Sequence, residues 1–151
     1  MNGNQLPMRR GKREHRMDLK RDLFLPVARR LRDRADSLRE MRRFSRSGIE
    51  GWLKVEVVAA LGEKVTKLQN KGPDIVLSTG DKVELKAATN LEPRYLRDGS
   101  TKYNTSCIFL GDGRDPMRIA QIAGNGVKLV AYEVFSDGFN EWVVGIVAQD
   151  K

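Results

Sequence analysis

Cysteine and histidine each occur once in this 151-residue chain, as Cys107 and His15. That scarcity excludes a disulfide framework and any cysteine/histidine zinc site within one chain, so a metal in this protein has to be held by oxygen ligands. Cys107 lies in the apolar run SCIFL and reads as a buried structural thiol, while His15 lies in a basic arm and is a poor base. Also missing are an apolar run of about 18 residues and the apolar stretch of a secretion signal. The expectation is therefore a soluble, cytoplasmic protein with no membrane partner. Internal repeats and low-complexity segments are absent. The 40% hydrophobic content suffices for one modest core.

What is present in excess is positive charge at one end. The net charge is +8, yet residues 1 to 46 hold 15 Lys or Arg against 6 Asp or Glu, a balance of +9, and the remainder stands at −1. Two regions follow: a basic N-terminal arm and helix over residues 1–46, and a core domain over 47–151. Residues 1–16 have no apolar period and read as a disordered or weakly ordered arm. From Met17 to Phe44, Leu19, Leu23, Val27, Leu31, Leu38 and Met41 recur at helical spacing, with Pro26 predicting a kink or a split near Leu25. The polar face carries Arg29, Arg30, Arg39, Arg42 and Arg43 among others. Those arginines either contact nucleic-acid phosphates or form a solvated or subunit-contacting face.

The core domain starts with a predicted helix from Gly48 to Leu61, with Ser47 as N-cap and Gly62 as terminator. Strand-like runs follow at Lys64–Gln69, Asp74–Ser78 and Lys82–Ala88, with Thr79-Gly80-Asp81 as a hairpin turn. Thr89–Thr105 is polar and reads as a long loop with one helical turn, its Arg94, Arg97 and Lys102 interleaved with Tyr95 and Tyr103 as a second set of phosphate-contact candidates. A strand at Ser106–Leu110, a helix at Pro116–Ala123 and a closing hairpin of Val127–Phe135 with Trp142–Val147 complete a mixed α/β fold.

The chemistry is concentrated in GPDIVLSTGDKVELK, residues 72–86. Strand alternation places Glu84 and Lys86 on one face and Val83 and Leu85 on the other. Pro73-Asp74 followed by Glu84-Leu85-Lys86 resembles the signature of the PD-(D/E)xK nuclease superfamily, whose restriction-endonuclease-like core runs helix, three-strand meander, helix and further strands. Each residue alone is equally at home in a turn or on a solvated strand face. The resemblance implies that Asp74 and Glu84, with the Leu85 backbone carbonyl, ligate Mg²⁺ or Mn²⁺. It also implies that Lys86 orients or helps deprotonate the attacking water. A helix glutamate completes the set. Glu50 is favoured, because its position 24 residues before Asp74 resembles the spacing of archaeal Holliday-junction resolvases, and Glu56, on the apolar stripe, is the alternative; about 120° separates them around the helix, so at most one is a direct ligand.

The resulting expectation is a metal-dependent DNA endonuclease, working as a homodimer or with a partner subunit that supplies specificity. The alternative is a non-catalytic nucleic-acid-binding or partner-binding module on the same fold.

Overall fold

The computed structural model describes residues 17–44 and 48–150. The basic arm with His15, and the expected N-cap Ser47, lie outside the described residues.

The N-terminal helical layer opens on a reciprocal cap. The Asp18 carboxylate accepts the Arg21 N–H and the Asp18 N–H donates to Asp22, both at 3.0 Å, which satisfies donors that a helix start leaves orphaned. The chain winds first as a π-helical segment, Leu19–Phe24, and then as α1, Leu25–Asp33. The change of winding falls at Leu25, where Pro26 predicted it: in the first turn of α1 the proline offers no N–H to the carbonyls of the preceding π-helical turn. A second break, which the periodicity did not announce, comes at Arg34, and α2 runs Ala35–Phe44. Leu23, Val27, Leu31 and Leu38 are fully buried, as their spacing requires. Next, α3 spans Ile49–Leu61 and stops at Gly62, whose φ of +57° is a conformation that glycine adopts without a Cβ penalty.

Six strands form one sheet: β1 Val65–Leu68, β2 Ile75–Leu77, β3 Lys82–Ala87, β4 Ser106–Asp112, β5 Val127–Ser136 and β6 Glu141–Gln149, in the order β1-β2-β3-β4-β6-β5. All neighbours are antiparallel except β3 and β4. A parallel pair needs a crossover, and here it is α4, Pro93–Tyr103. This eleven-residue helix replaces the expected loop at Thr89–Thr105. Pro93 fits its first turn, Leu96 anchors it in the core, and Asn104 ends it in the left-handed region, its N–H donating to the Ser100 and Thr101 carbonyls. The last helix, α5, is a single turn at Met117–Ala120, shorter than the predicted Pro116–Ala123.

Both faces of the sheet are covered, as a parallel pair at its centre demands. On one face Val83, Leu85, Ile108, Leu110, Val144 and Ile146 pack in one apolar cluster with residues of α1, α2 and α3. On the other, Cys107, Phe109, Val143 and Val147 pack with Leu91, Leu96, Ile119 and Ile122. Helices from both sides of the 46/47 boundary thus enter the first cluster. Cys107 is fully buried, and burial pushes its thiol well above the ordinary range.

One ion pair ties the helical layer together. The Glu56 carboxylate, 3% exposed on α3, accepts the Arg30 Nε–H at 2.7 Å and lies 3.8 Å from Arg34 Nε. Removing the acid from such a pair leaves a void and two uncompensated guanidiniums, which here are half-exposed and recover part of their hydration. Glu56→Ala is expected to lower the unfolding free energy by about 1–3 kcal/mol, read as a lower urea midpoint at unchanged slope.

Candidate active site

In the β2–β3 ladder Ile75 faces Val83 and Val76 faces Lys82. Continued by one and two positions, that register sets Asp74 opposite Glu84 and Pro73 opposite Leu85. Proline has no N–H to offer the ladder. The Pro73 carbonyl accepts the Gln69 side-chain amide at 2.8 Å, so the Asp74 side chain supplies the acceptor opposite Leu85: its Oδ2 accepts the Leu85 N–H at 2.9 Å. Asp74 and Glu84 then occupy a non-hydrogen-bonded pair, the arrangement in which facing side chains come closest. On an extended strand a residue's carbonyl points to the same side as its N–H, so the Leu85 carbonyl is directed to the Asp74 side as well.

Two like charges side by side need relief, and the site shows three forms of it. Burial first, and then the hydrogen bond and charge of Asp74, push the Glu84 carboxyl up to about 7. Lys86 Nζ lies 3.5 Å from Glu84 Oε2, and Lys54 Nζ, reaching across from α3, lies 3.7 Å from Asp74 Oδ1. For Lys86, burial disfavours the ammonium, but the charges of Glu84 and Glu50 outweigh it and its pKa stands raised. The other oxygen of Glu84, Oε1, is buried and has no hydrogen-bond partner among the described residues.

Glu50 joins this group from the first turn of α3. Its Oε1 accepts the Ala87 N–H at 3.3 Å. Partial desolvation raises its carboxyl, and Asp74 adds to the rise, against the Ala87 N–H and the two lysines. Glu56, the alternative, is held elsewhere by Arg30 and Arg34. The structure therefore brings Glu50 to the motif residues and Glu56 to the helical layer. Lys54 was absent from the sequence reading, although its position four residues after Glu50, on the same helix face, carried the signal.

A groove of ≈ 370 Å³ opens onto this cluster. Glu50 and Lys86 stand in one wall, and α4 supplies the other with Tyr95, Asp98, Gly99, Lys102 and Tyr103. Asp74 and Glu84 are not among the residues that line the groove. α4 packs closely on β3 at Gly99, where a Cβ would sit at van der Waals contact, 3.4 Å from Glu84 Cγ and from Lys86 Cε.

No protein-family model, curated protein or solved structure matches this chain. Function has to be argued from the site itself.

The arginines divide by neighbour. Arg30 is engaged with Glu56 and Arg43 with Glu40. Arg39 stacks on Phe139 at 5.2 Å and Arg42 on Trp142 at 5.6 Å, both at the β5–β6 turn that Asp137 organises. Arg29 is exposed on α1. Arg94 and Lys102 lie over Tyr95 and Tyr103 at 5.0 and 5.3 Å, beside the groove, and Arg97 is half-buried on the same helix.

For a hard divalent cation the donor chemistry fits. Mg²⁺ is commonly held by one or two carboxylates and keeps several waters, and here an unpartnered buried Glu84 oxygen lies beside an aspartate. The fit is in donor type rather than in a finished nest. Among the described residues no three acidic, histidine or cysteine side chains are gathered tightly enough to enclose an ion.

The raised Glu84 carboxyl has a thermodynamic consequence. Its folded value of about 7 exceeds the ordinary carboxylate value, so the folded state holds the proton more tightly. That contribution to stability is complete below the ordinary carboxylate range and is lost as pH rises through about 7. In chelator, the stability of the parent relative to Glu84→Gln is expected to fall between about pH 4.5 and 7.5, read from urea midpoints across that window. A difference that is flat with pH would contradict the assignment.

Proposed function

We propose that this chain is a metal-dependent phosphodiester hydrolase, a DNA endonuclease on a restriction-endonuclease-like core. The observation that carries the reading is the facing pair Asp74 and Glu84, with one buried glutamate oxygen unpartnered among the described residues and Lys86 Nζ 3.5 Å from the other. The order of elements supports it. A helix bearing Glu50 precedes an antiparallel three-strand meander with the aspartate at its second strand and Glu-x-Lys on its third, and a crossover helix leads to a further strand.

Mg²⁺ or Mn²⁺ held by Asp74 and Glu84, with Glu50 and the Leu85 carbonyl beside them, supplies charge neutralisation and an activated water at neutral pH. The chain's own residues do the rest. Lys86 orients the attacking water, and its ammonium offsets charge that builds on the non-bridging oxygens. Lys54 fixes the Asp74 carboxylate, whose other oxygen is committed to Leu85. With its carboxyl pushed up to about 7 by burial and by Asp74, Glu84 would have to lose its proton to hold a cation, so cation affinity is expected to rise with pH through this range.

A second reading, a nucleic-acid-binding or partner-binding module that does not cut, draws on one feature. Each carboxylate of the pair already faces an ammonium, at 3.7 and 3.5 Å, so the site is partly neutralised from within. Calorimetry separates the two. Retained DNA binding without Mn²⁺ uptake at millimolar concentration favours the module.

The hydrolase reading is tested by cleavage of duplex, single-stranded and branched DNA with Mg²⁺ or Mn²⁺. Asp74→Ala and Lys86→Ala are each expected to slow cleavage about a hundredfold or more, with far-ultraviolet circular dichroism unchanged. Rates equal to the parent in both variants would sink it.

A further inference from the structure

The face that α4 turns toward the groove is built on a four-residue repeat. Tyr95, Gly99 and Tyr103 succeed one another at i, i+4 and i+8, with Asp98 and Lys102 filling the i+3 and i+7 positions, and all five line the groove. At about 1.5 Å per residue the two tyrosines are about 12 Å apart along the helix, with the glycine midway. The midpoint is buried, packed against Glu84 Cγ and Lys86 Cε, and the groove opens beside it. Each ring is flanked by its sequence neighbour: Arg94 lies over Tyr95 at 5.0 Å and Lys102 over Tyr103 at 5.3 Å. Tyr95 is 41% exposed and is not needed for the core.

An amphipathic helix that used this stripe for packing would bury its aromatics. Here the buried residues of α4 are Pro93, Leu96, Gly99 and Ser100, and the tyrosines are left at the rim. A charged helix built only for solubility would have no reason to place two cation-flanked rings symmetrically about the point nearest Glu84 and Lys86.

We infer that α4 is a cradle for an unpaired nucleic-acid strand, with bases stacking on Tyr95 and Tyr103 and the backbone between them passing along the groove that Lys86 lines. This rests on the hydrolase reading of the same site and names its substrate class. A stacked strand advances about 3.4 Å per nucleotide, so the 12 Å interval holds about three to four nucleotides. A ring offered to a base is sequence-tolerant, and its loss is read as about tenfold or more in affinity. Arg94 and Lys102 supply charge where the strand enters and leaves. Paired bases present no face to a ring, so a continuous duplex gains nothing from the cradle.

The test is fluorescence anisotropy on the full chain in chelator. Labelled single-stranded DNA, single-stranded RNA of the same sequence and the blunt DNA duplex are compared for the parent, Tyr95→Ala, Tyr103→Ala, the two Tyr→Phe variants, and Phe139→Ala as an exposed aromatic outside the groove. Unpaired strands are expected to bind more tightly than duplex. Each alanine variant is expected to lose about tenfold or more in affinity for them, the phenylalanine variants and Phe139→Ala keeping the parent value. Duplex bound as tightly as single strand, or alanine variants that bind strands like the parent, would overturn the cradle. Cleavage is measured in parallel with Mg²⁺. Cutting by the parent with strand binding indifferent to the tyrosines removes the cradle and leaves the hydrolase. Tyrosine-dependent strand binding without any cutting supports the cradle and removes the hydrolase.

Discussion

The hydrogen bond from the Leu85 N–H to the Asp74 carboxylate is the constraint from which the rest of the site follows. Pro73 has no N–H for the β2–β3 ladder and its carbonyl is turned to the Gln69 amide, so the Asp74 carboxylate takes the acceptor's place opposite Leu85 and is locked there. The substitution fixes which residues meet. Asp74 is pinned opposite Glu84, and the desolvation and repulsion that result hold the glutamate proton up to about pH 7. Lys54 and Lys86 then become necessary neighbours rather than incidental ones, because a buried acid pair without cations would be strongly unfavourable. Even the Pro73 carbonyl is secured, accepting the Gln69 side-chain amide at 2.8 Å.

The sheet holds this arrangement between two unlike layers. On the side of α1, α2 and α3 the packing is apolar and is tied by Arg30 and Glu56, and Glu50 reaches the end of β3 from the start of α3. On the other side α4 is a crossover dictated by topology, since β3 and β4 run parallel. A crossover helix has to pass over the strand it leaves, and β3 is the strand that carries Glu84 and Lys86. The position of α4 over the acids is therefore a consequence of connectivity. At its closest point Gly99 packs against Glu84 and Lys86.

Legibility in the sequence followed the strength of local signals. Pro73-Asp74 and Glu84-Leu85-Lys86 were readable because a breaker and a two-residue alternation are short-range features, and so was α3, with its apolar run and terminal Gly62. The helix α4 was not readable as a helix. Gly99, Ser100 and Thr101 are weak helix formers, and Leu96 is its one buried aliphatic side chain, so what stabilises it is the crossover and the packing of Leu96 rather than propensity. The preference for Glu50 over Glu56 rested on spacing alone; what holds Glu56 away from the motif is Arg30 and Arg34, which lie more than a helix away in sequence and gave no local signal.

That same failure of local reading separates the two kinds of arginine in this chain. The excess of positive charge before residue 47 suggested a phosphate-binding face, and composition alone cannot tell a guanidinium that pairs inward from one that waits for a ligand. In the fold, Arg30 and Arg34 neutralise a buried acid, Arg39 and Arg42 clamp the β5–β6 turn through Phe139 and Trp142, and Arg32 reaches Glu133 on β5. Much of the basic character of α1 and α2 is thus spent on holding the helices to the sheet. Around the acids the balance is different. There Lys54, Lys86 and Lys102 are set against Asp74, Glu84, Glu50 and Asp98, a near-matched group in which any added divalent cation or phosphate shifts the charge decisively. Net charge describes the scaffold; the matched group around Asp74 and Glu84 is where a ligand would change the electrostatics most.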